Sequence, residues 1–257
     1  MDEPKVPPRR ALLTLGTAVL VAGCTTRASA STPQAKPSAR RTVTPSKALR
    51  AKCVAPTSGQ LRGSRPQTHV PCGAADIALT IDDGPDPTWT PKILALLASL
   101  DVRATFCVVG REAKAHPGLV ADIAHAGHAV ANHTYTHRFL RGASPGTVHR
   151  EIARATDAVV AACGVRPTHF RAPGGEWSST VLGECRAQGL HPLDWSVDPR
   201  DWSRPGSTSI VRTIMANTVP GSIILEHDGG GNRSQTVRAL TLALPRLLDQ
   251  GYRFVQP

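Results

Sequence analysis

Four things are missing from this 257-residue chain, and each narrows what it can be. No acidic residue occurs between Cys24 and Ala75, although nine basic ones do. The signal-like start contributes +1 and this stretch +9 of the +11 total, so the remainder is nearly neutral. That distribution excludes a basic nucleic-acid-binding fold, whose charge would cluster on a structured surface. No apolar run can span a bilayer, which takes about 20 residues; the longest, Ala11 to Val21, is half that. No Cys-x-x-Cys occurs, so the thiols do not form a zinc site. No segment repeats, which leaves about 180 residues after the basic stretch for one domain with a substantial core.

The start of the chain has the form of an export signal. Arg9 and Arg10 precede the short apolar run. Val21-Ala22-Gly23-Cys24 then resembles a bacterial lipobox, which predicts cleavage after residue 23 and lipidation of Cys24. The alternative is a simple cleaved signal in which Cys24 plays no part. The Arg pair also resembles a twin-arginine signal. Residues 24–73 are rich in Pro, Ser, Thr and Ala without apolar periodicity and read as a disordered tether. Its basic groups would be drawn to an anionic membrane surface or wall polymer. The expected location is the outer face of the cell membrane, or the exterior if the lipobox is not used. If Cys24 is lipidated, five cysteines remain, an odd number. Cys107, in an apolar strand, is the expected free thiol; Cys53 with Cys72 and Cys163 with Cys185 are the candidate pairs.

From residue 74 onward, short apolar runs alternate with amphipathic stretches. Strands are predicted at 76–81, 103–109, 128–132, 168–171, 191–196, 222–227 and 252–256. Helices are predicted near 91–100, 117–126, 145–163, 178–188, 208–217 and 233–250, the last closed by Gly251. This alternation predicts a parallel α/β architecture but does not choose between an open sheet and a barrel.

The chemistry gathers at strand ends. Ile81-Asp82-Asp83-Gly84-Pro85 puts two adjacent carboxylates between an apolar strand and a turn. Their mutual repulsion calls for a compensating charge, and a metal ion supplies one while leaving the second carboxylate free as a base. His133-Thr134-Tyr135-Thr136-His137 offers two imidazoles at helical i,i+4 spacing, where a strand becomes a turn or helix. Two His and one Asp make three ligands with a fourth position open, the pattern of a catalytic zinc site.

Leu79-Thr80-Ile81-Asp82-Asp83-Gly84-Pro85 and His133-Thr134-Tyr135-Thr136-His137 resemble the first two motifs of the polysaccharide deacetylase family, the NodB-homology carbohydrate esterases. Arg171-Ala172-Pro173-Gly174-Gly175, Asp198-Pro199-Arg200-Asp201-Trp202 and Leu225-Glu226-His227 resemble the third, fourth and fifth, in that order. The resemblance spans roughly residues 75–257. It implies a distorted (β/α) barrel with fewer than eight repeats, whose site lies at the C-terminal strand ends. It also implies a metal-dependent hydrolase that removes N-acetyl groups from an N-acetylhexosamine polysaccharide. Peptidoglycan is the favoured substrate, because a membrane tether would hold the enzyme beneath the wall. An O-acetyl esterase on xylan or a similar glycan, and an inactive glycan-binding module, are the alternatives. A monomer is expected.

Residue by residue, the resemblance and the chemistry together assign the metal to Asp83, His133 and His137. Zn2+ is the first choice and Co2+ or Fe2+ are acceptable. Asp82 is the general base and His227 the general acid, its pKa raised by Asp201 or, as second choice, Asp198. Arg171 keeps Asp82 ionised. The N–H of Gly174 would help bind the oxyanion, at a position where the family usually has Tyr. Trp202 and Leu225 would line a pocket for the acetyl methyl group, although Trp202 could equally belong to the core. Glu226 departs from the family's apolar residue and, on a strand, is expected to point away from His227.

Overall fold

The computed structural model describes residues 57, 64–71 and 75–257. The signal sequence, Cys24, most of the tether and the candidate bridge Cys53–Cys72 lie outside the described residues.

The described chain is an α/β fold. Strand β1 (Asp76–Asp82) is followed by α1 (Thr90–Leu100), β2 (Thr105–Val108), α2 (Gly110–Ala115), α3 (Pro117–His125) and β3 (Ala129–Asn132). Then come α4 (Pro145–Cys163), β4 (His169–Phe170), α5 (Ser179–Ala187), β5 (His191–Pro192), α6 (Ser207–Asn217), β6 (Ile223–His227), α7 (Ser234–Asp249) and β7 (Arg253–Phe254). The strands pair in the order β5-β4-β3-β2-β1-β6, all parallel, with β7 alongside the start of β1. The sheet curls into a half-barrel, the distorted barrel with fewer than eight repeats expected above.

Alternation along the strands separates core from site. On β1, Ile77, Leu79 and Ile81 join Phe106, Ile93, Leu97, Leu240 and Leu244 in the main apolar cluster between sheet and helices. Each such side chain contributes about 1.5–3 kcal/mol when fully buried. Ala78, Thr80 and Asp82 therefore face the hollow of the curl. There, small residues (Ala78, Cys107, Ala131) leave room beside Leu193 and Ile223. On β6 the same alternation puts Ile224 on the helix side and Ile223 in the hollow.

Local chemistry explains the helix limits. Pro145 opens α4 behind Ser144, whose hydroxyl accepts the Thr147 N–H, and Gly164 at φ 72° closes it. Gly251 closes α7 as expected, its N–H donating to the Leu248 carbonyl at 2.9 Å.

Three expectations require correction. Cys163 and Cys185 are free thiols. Cys163 ends α4 against the main cluster, whereas Cys185 is buried in a second cluster with Phe170 and Val181, so packing separates them. The ordered domain also begins earlier than residue 74. Gln67 bridges to Leu193 and His69 to Ser222, and Val70 is fully buried. This segment has one apolar side chain to bury and so shows no periodicity. Finally, the predicted 191–196 strand is shorter: β5 is His191–Pro192, and pairing continues through the Leu193 N–H to the Phe170 carbonyl and the bridge from Leu193 to Gln67. Among the described residues no helix is long and apolar enough to cross a membrane.

Candidate metal centre

The site sits at the C-terminal ends of β1, β3, β4 and β6. Asp82 is the last residue of β1, and its register partner on the neighbouring β6 is His227. The two side chains stand on adjacent parallel strands, about 4.8 Å apart in backbone spacing. Chain reversal after β1 needs Gly84: a Cβ there would lie 2.1 Å from Asp228 Oδ1.

The two histidines belong to a loop, not a helix. Thr134 and His137 adopt left-handed φ values of 63° and 61°, which excludes the helix and leaves the turn of the two alternatives their spacing offered. Asp83 is left-handed too, at φ 75°. Each such residue costs of order 1 kcal/mol or more, and surrounding contacts hold it in place. Asn132 accepts the Thr134 N–H at 2.9 Å and donates to the Ile152 carbonyl and Thr156 from the same amide. Glu151 on α4 accepts both the Tyr135 and Thr136 N–H groups. Neither Asn132 nor Glu151 was singled out from sequence; the buried Asn ending a strand before the His motif was the only available signal.

Asp83, His133 and His137 each offer a ligand atom, all within 4.8 Å of one another. His133 Nδ1 lies 2.9 Å from the Arg171 carbonyl, which can only accept. The proton therefore sits on Nδ1, leaving a lone pair on Nε2. That Nε2 faces Asp83 Oδ1 at 3.4 Å, and His137 Nε2 faces the same oxygen at 3.0 Å. Asp83 Oδ1 is buried without a hydrogen-bond partner among the described residues. Acceptors converging on a shared point fit a divalent cation. Burial alone would raise the Asp83 pKa, but the two adjacent imidazoles, His133 first, hold it well below the usual carboxylate range.

Asp82 is divided from this trio. Its Oδ1 accepts from Arg171 Nη1 at 2.8 Å, while Oδ2 lies 3.8 Å from His133 Nε2. Arg171 is fully buried. It also donates to Thr80 at 2.7 Å and to the Asp194 carbonyl at 2.9 Å, and stacks near Trp195. Burial disfavours its charge, yet the Asp82 carboxylate keeps it firmly protonated. Asp194 and Trp195 lie outside every sequence motif, and tertiary folding alone brings them to the guanidinium.

His227 Nδ1 is 2.6 Å from Asp201 Oδ1, and Asp201 Oδ2 also accepts the His227 N–H at 3.0 Å and the Thr236 hydroxyl at 2.7 Å. Burial works against the imidazolium, but the Asp201 pair outweighs it and lifts the His227 pKa to about 9. Asp201 is therefore the partner that the structure pairs with His227. Asp198 instead caps its own turn by accepting the Arg200 N–H.

Leu225 is buried two residues before His227 on the same strand face. Trp202 follows Asp201 and is 46% exposed, so it is not core. Gly174 lies in the Pro173–Gly175 turn at φ 65°. A Cβ there would meet Phe139 Cε1 at 2.8 Å. The 60% exposed Phe139 ring stands 6.1 Å from the His137 ring, in the space a larger side chain would need. Phe139 was missed because one exposed apolar residue carries no pattern.

The profile of the polysaccharide deacetylase family matches residues 70–193. The chitooligosaccharide deacetylase of Sinorhizobium fredii is 45% identical over 193 residues, which cover 70% of this chain and 89% of that protein. A peptidoglycan-N-acetylglucosamine deacetylase of Bacillus cereus is 40% identical over 189 residues, 73% of this chain and 88% of its own length. A crystal structure of a peptidoglycan N-acetylglucosamine deacetylase superposes with a TM-score of 0.74 at 34% identity, covering 79% of this chain and 95% of that one.

Proposed function

Because the chain belongs to the polysaccharide deacetylase family, we propose that it is a metal-dependent hydrolase that removes N-acetyl groups from an N-acetylhexosamine polymer, with peptidoglycan as its substrate. One observation carries the reading: two adjacent carboxylates with different partners, Asp83 against two imidazoles and Asp82 against Arg171.

Asp83, His133 and His137 would hold the cation, with zinc favoured by an Asp-His-His donor set. A divalent ion there would acidify water and polarise the acetyl carbonyl. Asp82 is the general base, accepting a proton on Oδ2 while Arg171 occupies Oδ1. The N–H of Gly174 supports the oxyanion. His227, charged at neutral pH and aligned by Asp201, protonates the departing amine. This step matters because an amine leaves poorly unless protonated. Leu225 and Trp202 enclose the acetyl methyl, and Phe139 gives a sugar ring an apolar surface where Gly174 lacks one.

The lipobox at Cys24 and the basic tether support an anchored enzyme on the outer face of the membrane, within reach of the wall. Palmitate labelling lost in Cys24→Ala, with release from the membrane fraction, is the expected result.

The deciding experiment measures acetate released from peptidoglycan, chitin oligomers and acetylated xylan by the metal-loaded protein. Release from the first two is expected. Release from xylan alone would make it an O-acetyl esterase, and metal binding without release from any substrate would make it a binding module.

A further inference from the structure

Glu226 is an ionisable motif residue that the reaction above leaves without work. It is fully buried, on the edge strand β6, next to His227 but on the opposite face. Strand alternation turns it toward the helix layer, as it does Ile224. The other side of β6 carries the Val197 bridge and the Asp201–Ser203 turn. Asp201 therefore stands beyond the edge of the sheet, where residues on both faces of β6 can reach it. His227 reaches it from the hollow at 2.6 Å, and the fully buried Glu226 adjoins it from the helix side.

Among the described residues, neither Glu226 oxygen receives an N–H or O–H donor. The charged groups acting on it include Asp201, Asp198 and Arg233. Arg233 directs its Nε to the Gly229 carbonyl at 2.6 Å instead. Two buried carboxyl groups in contact, with no cation between them, must share a proton. Its owner follows from the donor count. Asp201 already accepts from His227 Nδ1, the His227 N–H and Thr236, which favours the anion. Glu226 has no donors, and burial beside Asp201 pushes its pKa well above the normal range.

We propose that Glu226 is a positioning residue, held as a neutral carboxylic acid whose hydroxyl donates to Asp201, the carboxylate that orients His227. A further donor spreads the Asp201 charge and fixes its rotamer from the side opposite the imidazole. It also weakens the pull of Asp201 on the His227 proton, so that the imidazolium can release it during turnover. The proposal rests on the reading of His227 as general acid.

The sign of a titration shift tests it. The His227 imidazole resonance, identified by its loss in His227→Gln, is followed against pH in the full-length protein, in Glu226→Gln and in Glu226→Leu, at one metal loading. A neutral donor predicts that the Leu variant shifts the His227 pKa upward by about one unit, on the scale of one hydrogen bond to a charged group. The Gln variant, which keeps an N–H donor, stays near wild type. An ionised Glu226 predicts the opposite: both substitutions remove a negative charge and shift the pKa downward. A downward shift in both variants, or no shift in the Leu variant, overturns the proposal. Should the Leu variant not fold, difference infrared spectra decide. A protonated-carboxyl band present in wild type and lost in Glu226→Gln supports the proposal, and its absence overturns it. Neither readout uses substrate, so this proposal can fail while the deacetylase reading stands, and the reverse.

Discussion

The Arg171 backbone carbonyl accepts a hydrogen bond from His133 Nδ1 at 2.9 Å. The side chain of the same residue holds Asp82 at 2.8 Å. One buried residue thus sets the tautomer of a candidate metal ligand and holds the carboxylate of the candidate base in place. A change at Arg171 should disturb both.

Arg171→Met should lower the free energy of unfolding by about 3–5 kcal/mol, because it strands the buried Asp82 carboxylate without its partner. Urea denaturation measures this. An Arg171→Met Asp82→Asn double variant should recover part of the loss.

Asp82→Asn should lower kcat by roughly 10²–10⁴-fold, the usual worth of a positioned base, with bound metal unchanged. Asp83→Ala should lose the metal as well as the activity. Metal content by mass spectrometry beside acetate release separates the two; equal activity in Asp82→Asn would remove it from the role of base.

The His227–Asp201 pair predicts a pH dependence of stability. The fold lifts the His227 pKa from 6.5 to about 9. A group whose pKa rises on folding stabilises fully below its unfolded pKa and loses that contribution as pH climbs through the folded value. Stability from this pair should be complete below pH 6.5 and fade, by on the order of 3 kcal/mol, as pH rises through about 9. His227→Gln should lack this decline in urea unfolding measured across the same range. In the same window kcat/KM should fall as the general acid loses its proton.

Phe139→Ala should raise KM for N-acetylglucosamine oligomers several-fold while leaving kcat and the melting temperature near wild type. The ring is 60% exposed, so its removal opens no core cavity. Phe139→Trp should restore KM. A fall in kcat at constant KM would place Phe139 outside substrate binding.

Cys163 and Cys185 should both react with an alkylating reagent in denaturant without prior reduction, because neither is bridged. Peptide mapping checks this, with Cys185 protected in the native protein by burial.

Local patterns made much of the fold legible. The limits of α4 at 145 and 163 match the sequence expectation, because Pro145, Ser144 and Gly164 act through their own backbone chemistry. Strand β1 differs by one residue from its predicted span, since its apolar run admits no other use. The six-residue α2 was missed: it is too short to show a period. The spacing of the histidine pair left both a turn and a helix open, because spacing carries no φ value. Asn132 and Glu151 set that loop from outside the motif.

The sequence by itself determined the order of strands and helices and which residue types stand at the strand ends, because periodicity, capping and motif chemistry are properties of neighbouring residues. Only the tertiary structure decided which groups stand against each of those residues. Pairing of β1 with β6 puts His227 beside Asp82, and folding brings Arg171 to Asp82, leaves Asp83 to the two imidazoles, and seats Asp201 against His227. Those relationships depend on distances between groups far apart in the chain, and only the closed packing of the sheet and its helices sets them.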